Sequence, residues 1–184
     1  MGSNRLIISR RPYHLKNHVG AMTAQFAETL ILEGQTVAMC SQPLDSYFDF
    51  GGIEPDFAET CTALWRGYIG TWEILDGRLY LIALRGTLRT GEPASLATIF
   101  PEYPERVFAH WYSGILRIPQ GALLEYVHAG FGSIYEQDLL IDVENGLVIN
   151  TSTHANTNST TQDKKGGYGV GAMTVFPLCD HDRN

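Results

Sequence analysis

Long apolar runs are missing from this sequence. No segment approaches the ~18 uninterrupted apolar residues that a membrane helix needs. The longest stretches, such as Tyr80 to Leu84, have strand length instead. No apolar region of ~7 or more residues follows the arginines of Met1 to Arg11, so no secretory leader is expected. Cysteine is scarce: Cys40, Cys61 and Cys179 are odd in number, widely spaced and without a Cys-x-x-Cys pair. That excludes a zinc ribbon or a thioredoxin-type site and fits a reducing compartment, so a cytoplasmic location is expected. Basic charge is short as well. Lys+Arg number 13 against 20 Asp+Glu, a net charge of −7. The only basic clusters, Arg10-Arg11 and Lys164-Lys165, are too short to line a phosphate groove. Neither nucleic acid nor a membrane is therefore an expected partner; a basic protein is.

What is present describes a globular chain. With 184 residues and 44% apolar content it can bury a core as a single domain. The turn chemistry is the strongest local signal. Asp76-Gly77 separates two apolar runs, Tyr68 to Leu75 and Arg78 to Arg85. Asn145-Gly146 separates Ile134 to Val143 from Leu147 to Asn150. Both dipeptides accept the positive φ values of a hairpin turn. Leu79 to Leu84 is apolar on both faces and reads as a central strand. Glu33-Gly34 predicts a third hairpin, favoured over a helix for Ala24 to Cys40.

Further strands are read over 5–12, over Val107 to Ile118 with a bend at Gly114, and over Gly121 to His128, pairing back after Pro119. Two short helices are predicted. One runs from Asp56 to Trp65, with Asp56 and Glu59 at capping-box spacing; the other runs from Ser95 to Phe100. Pro43 to Pro55 reads as a loop with aromatic anchors. The fold class is therefore α+β, predominantly antiparallel β, as a meander, sandwich or partly closed barrel. The domain covers 5–150. A polar Gly/Thr/Asn-rich tail covers 151–184, with room for one docked strand at 170–178.

Gly70-Thr71-Trp72 resembles the opening Gly-x-Trp of lipocalin-type barrels over three residues. It stands well inside the chain instead of near its start, so no functional residue is carried over. Trp72 is expected in the core.

Candidate chemistry centres on histidine. In strands, Phe108, His110 and Tyr112 share one face, as do Tyr126 and His128. If those strands are neighbours, His110, His128, Tyr126 and Glu136 meet in one cavity as an acid/base set, since an imidazole near a carboxylate titrates close to neutrality. His14 and His18 have helical metal-ligand spacing but lack the Glu of a metalloprotease motif. The glycines at 166, 167, 169 and 171 make no phosphate loop, and no cofactor or metal is expected. A nucleophile elbow is absent too.

A second cluster is acidic and aromatic. Residues 45–59 hold Asp45, Asp49, Glu54, Asp56 and Glu59 and no basic residue, with Tyr47 and Phe48 among them. Tyr103 and Phe131 stand in similar turn-rich segments. Asp45, Tyr47, Phe48, Asp49, Glu54 and Asp56 are the expected binding residues. The expected function is a small protein of immunity or regulatory type that sequesters a partner. The alternative is a small-molecule-binding barrel or sandwich, enzymatic through His110, His128 and Glu136.

Overall fold

The computed structural model describes residues 23–156. The strands read over 5–12 and 170–178, and the His14 and His18 pair, lie outside them. The described residues open with β1 (Glu28–Leu32) and β2 (Gln35–Met39), then helix α1 (Pro43–Asp49) and a 3-10 turn (Thr62–Leu64). The hairpin β3 (Tyr68–Leu75) and β4 (Arg78–Thr87) follows. Next come β5 (Pro93–Ala94), α2 (Leu96–Ile99) and β6 (Val107–Phe108). Three long strands finish the fold: β7 (Gly114–Glu125), β8 (Ile134–Glu144) and β9 (Leu147–Ala155).

Three turns set the register. Glu33 and Gly34, Asp76 and Gly77, and Asn145 and Gly146 all have positive φ at both positions. That backbone twist matches a pair of antiparallel strands, and a glycine second in each pair accepts it without strain. The strands form one mixed, mostly antiparallel sheet in the order β2-β1-β3-β4-β9-β8-β7, with β5 and β6 also on β4. Among the named strands, β1 and β3 make the one parallel pair. As its two-faced apolar pattern predicts, β4 is central. It pairs with β3 along one side and with β9, β6 and β5 in turn along the other.

The β4–β9 seam is narrow. It consists of Arg78 opposite Leu147, flanked by hydrogen bonds from Leu79 N to Gly146 O and from Val148 N to Gly77 O, each 2.8 Å. Two hairpin turns thus meet tip to tip. Beyond the seam, Leu116, Ile118, Ile141 and Val143 of β7 and β8 join Leu30, Trp72, Leu79 and Leu81 in one core. At the far side Cys40 N donates to Arg117 O at 2.8 Å, and Ser41 Oγ bridges Ile115 O and Arg117 N. The sheet curls until its outer strands touch, without closing into a barrel.

Several expected elements differ. No helix covers 56–65: Ala58 N donates to Thr87 O and Phe57 bridges to Leu88, so this segment runs beside the end of β4. The open edge of β4 supplied partners that a helix would have replaced. The helix lies instead at Pro43–Asp49, with Pro43 in its first turn, where a missing N–H costs nothing. Residues 107–118 are not one strand. β6 ends at Phe108, and β7 starts afresh at Gly114 on another part of the sheet. Nor does 121–128 pair back; β7 runs through Pro119 to Glu125, with irregular register after Gln120. β9 continues to Ala155, five residues past the expected end of the domain.

One buried ion pair ties the first half together. Glu28 of β1 and Arg66, just before β3, meet at 2.8 Å with both side chains almost wholly buried. The second Glu28 oxygen accepts from Gly70 N and from Trp72 Nε1, the latter at 3.1 Å. Arg66 donates onward to Phe26 O at 2.9 Å. The Gly-x-Trp pair is therefore a carboxylate clamp. A Cβ on Gly70 would lie 2.3 Å from the Glu28 oxygen, so only glycine fits.

Burial pushes the Glu28 carboxyl up to about 7, against the opposing pull of Arg66, Trp72 and Gly70. The carboxyl therefore binds its proton more tightly folded than unfolded. Its contribution to stability is full below the ordinary value of 4.5 and is lost as pH rises through about 7. Asp45 is shifted in the same direction. Unfolding free energy from urea titrations is expected to fall between about pH 5 and about pH 8. Glu28→Gln, which keeps the side chain neutral at every pH, is expected to flatten that slope. An unchanged slope in the variant would assign the dependence elsewhere.

Candidate functional site

The four residues expected to share a cavity do not converge. His110 is exposed just before β7, with its Nδ1 3.3 Å from Phe108 O and its ring edge-on to Trp111. His128 follows the other end of β7. The 12 residues of that strand, roughly 40 Å if fully extended, lie between the two imidazoles along the chain. Tyr126 and His128 do meet, ring centroids 4.6 Å apart and edge to face, on an exposed connection. Glu136 is exposed and accepts from Ala122 N at 3.0 Å, holding the irregular part of β7. Arg117 fixes the same connection from below. It donates to Asp138, Phe131 O and Ser133 O at 2.7–2.9 Å. Among the described residues no three His, Cys, Asp or Glu side chains gather as metal ligands. Glu28 has a near-neutral pKa but is shut off from solvent, so it holds the fold and meets no substrate.

The acidic, aromatic segment divides into an anchored half and a projecting half. Leu44 is fully buried beneath α1. Tyr47 packs on Phe100 and Trp111 at 4.8 and 5.0 Å, and Phe48 stands edge-on to Tyr68. Trp111 Nε1 donates to Pro43 O at 3.1 Å and pins the start of the helix. Asp45 belongs to this anchored side. It accepts from Tyr68 OH at 2.8 Å, and from the Gln42 amide at 3.1 Å while that amide's oxygen accepts from Arg66. Burial raises the Asp45 carboxyl, and burial beside Asp45 raises the Tyr68 phenol strongly. Asp45, Tyr47 and Phe48 are therefore half-buried and mount the helix on the core.

The projecting half begins at Asp49. Gly51 N donates to Phe48 O and Gly52 N to Tyr47 O, both at 2.9 Å, which turns the chain sharply off the helix. A Cβ on Gly52 would lie 2.3 Å from the Tyr47 ring, so the glycine lets the loop press against it. Phe50 is left 79% exposed and Ile53 66% exposed, flanked by exposed Asp49 and Glu54. Asp56 is exposed and pairs with Arg89 at 2.8 Å. Phe100, in contact with Tyr47, leads into a second exposed stretch with Glu102, Tyr103 and Glu105. Phe131 is half-buried in the β7–β8 connection.

Phe50 and Ile53 are the residues that sequence reasoning missed. The signal lay in the helical spacing. Leu44, Tyr47 and Phe48 stand at i, i+3 and i+4 and fill the buried face, which leaves Phe50, beyond the helix end, without a place in it. Such a loop offers two apolar anchors within an acidic rim on a fixed support, an arrangement suited to docking another surface.

The division predicts opposite responses to truncation. Tyr47→Ala is expected to cost about 2 kcal/mol or more through the cavity left between Phe100 and Trp111. Phe50→Ala is expected to change stability by no more than about 0.5 kcal/mol, since its ring is already in water. Denaturant titrations of both variants check the pair; a large loss from Phe50→Ala would place that ring in the core.

The chain matches no protein-family model, no curated protein and no solved structure.

Proposed function

We propose that this chain is a cytoplasmic protein-binding module that captures a basic partner through the loop after α1. The observation that carries the reading is the exposure of Phe50 and Ile53 between Asp49 and Glu54, on a loop bonded to a helix whose first turn is buried. Large apolar side chains in water are unfavourable for the free protein. Their burial against a partner supplies affinity, while the acids steer encounter and select positive charge. The support is rigid, so little loop entropy is lost on docking. The chain's net charge of −7 favours the same class of partner. Sequestration needs nothing further: covering a basic surface blocks whatever that surface contacts.

A photo-cross-linking amino acid at position 50, introduced in cells that express the chain, identifies what docks there. The expected product is a basic protein. Its affinity for the purified chain is expected to fall roughly 30-fold with Phe50→Ala, a loss typical of a central interface anchor. Asp49→Lys with Glu54→Lys is expected to slow association and weaken its salt dependence. An acidic cross-linked partner, or a basic one indifferent to all three changes, would overturn the reading.

A further inference from the structure

Among the described residues the sheet has an edge that no strand fills. β9 pairs with β8 along its whole length, from Leu147 to Ala155. On its other side β4 reaches only Leu147, and Val148 N is the last amide there with a described partner, Gly77 O. Every residue from Ile149 to Ala155 is exposed. Among the described residues nothing covers this side.

The hydrogen-bond pattern shows which groups point outward. Asn156 N donates to Glu136 O, so His154 and Ser152 also direct their backbone groups toward β8. Across the same sheet Arg117 O, opposite Leu140, points away from β8 and accepts from Cys40 N, as that phase requires. By alternation the N–H and C=O groups of Thr151, Thr153 and Ala155 face the open edge. An unpaired row of this kind is filled by another extended strand.

The composition of the edge indicates which strand. Ile149 to Ala155 contains no Asp, Glu, Lys, Arg, Pro or Gly, although the chain carries 20 acids. Sheet edges are ordinarily guarded by such residues. When two copies meet edge to edge, a two-fold axis sets any charge next to the axis opposite or diagonal to its own copy, and like charges there repel. A neutral strand in an acidic chain avoids that repulsion. We propose that two copies of this chain associate through β9, antiparallel, about a two-fold axis at Thr153. Thr153 then faces its own copy, and Thr151 faces Ala155 of the second copy on either side. The outward groups at these three positions form six backbone hydrogen bonds, and His154 stands opposite Ser152. The two curled sheets join into one continuous sheet. This assembly is independent of the loop after α1, which belongs to a different part of the chain.

Sedimentation equilibrium of the full chain across a dilution series tests this. The wild type is expected at twice the 20.4 kDa chain mass, dissociating on dilution. Thr153→Pro removes an outward N–H without touching the β8 ladder and is expected to sediment as a monomer. Thr153→Lys and Thr153→Glu keep the donor but place like charges at the axis, and each alone is expected to be monomeric. Mixed in equal amounts they are expected to recover the dimer as a heterodimer. Persistence of the dimer in Thr153→Pro and in both charged variants would overturn the proposal. A monomeric wild type would also overturn it. Amide exchange then separates two cases: protected Thr151, Thr153 and Ala155 put another segment of the same chain on the edge, and unprotected amides leave it open.

Discussion

The first half of the fold depends on a carboxylate that has left water. Glu28 on β1 is held by Arg66, by the Gly70 amide and by the Trp72 indole, all contributed by the segment that leads into and forms β3. β1 and β3 are the parallel neighbours of the sheet, and a parallel pair cannot be joined by a tight turn. A polar contact of defined geometry therefore specifies the register where turn chemistry cannot. A buried ion pair is weak evidence of net stabilisation, because desolvation offsets the attraction. Its value here is selectivity: a one-residue slip of β1 would carry Glu28 to the opposite face and leave Arg66 buried alone.

The same network reaches the helix that carries the exposed loop. Arg66 meets the Gln42 amide, Gln42 meets Asp45, and Asp45 meets Tyr68. The acids of 45–59 thus divide by depth. Asp45 is spent inside, Asp56 is paired with Arg89, and Asp49, Glu54 and Glu59 remain at the surface. Charge counted along the chain cannot make that division, because it depends on which way α1 faces.

The parts of the fold legible in the sequence were those fixed by neighbouring residues. Glu33-Gly34, Asp76-Gly77 and Asn145-Gly146 each determine a turn by their own φ values, and all three hairpins follow. The short helix Leu96–Ile99 was legible between its flanking breakers, with Pro101 closing it; the structure adds the capping box of Ser95 and Thr98. Failures came where distant edges competed. Asp56 to Trp65 had a local helix signature, but its start pairs with the end of β4, where Ala58 N donates to Thr87 O. Pro119 read as a strand breaker, yet it lies on the outer side of β7, where no ladder bond needs its N–H. The candidate sites divided likewise. The acidic segment was found from composition, whereas the choice of Phe50 and Ile53 over Tyr47 and Phe48 required the packing of Trp111 and Phe100. The histidine set failed because β7 is one unbroken strand and not two that pair.

The parallel pairing of β1 with β3 also has a temporal consequence. Leu30 and Trp72 stand side by side with 41 residues between them, enclosing β2, α1 and the loop after it. Closing a loop of that length costs on the order of 3 kcal/mol of chain entropy before any contact offsets it. The β3–β4 and β8–β9 hairpins close loops of only a few residues. Contact order therefore places those hairpins before the docking of the β1–β2 unit. Until it docks, the flank of β3 is a bare strand edge in the nascent chain, and the acidic loop has no seat. The loop proposed to bind a partner would then gain its seat only after those hairpins have formed.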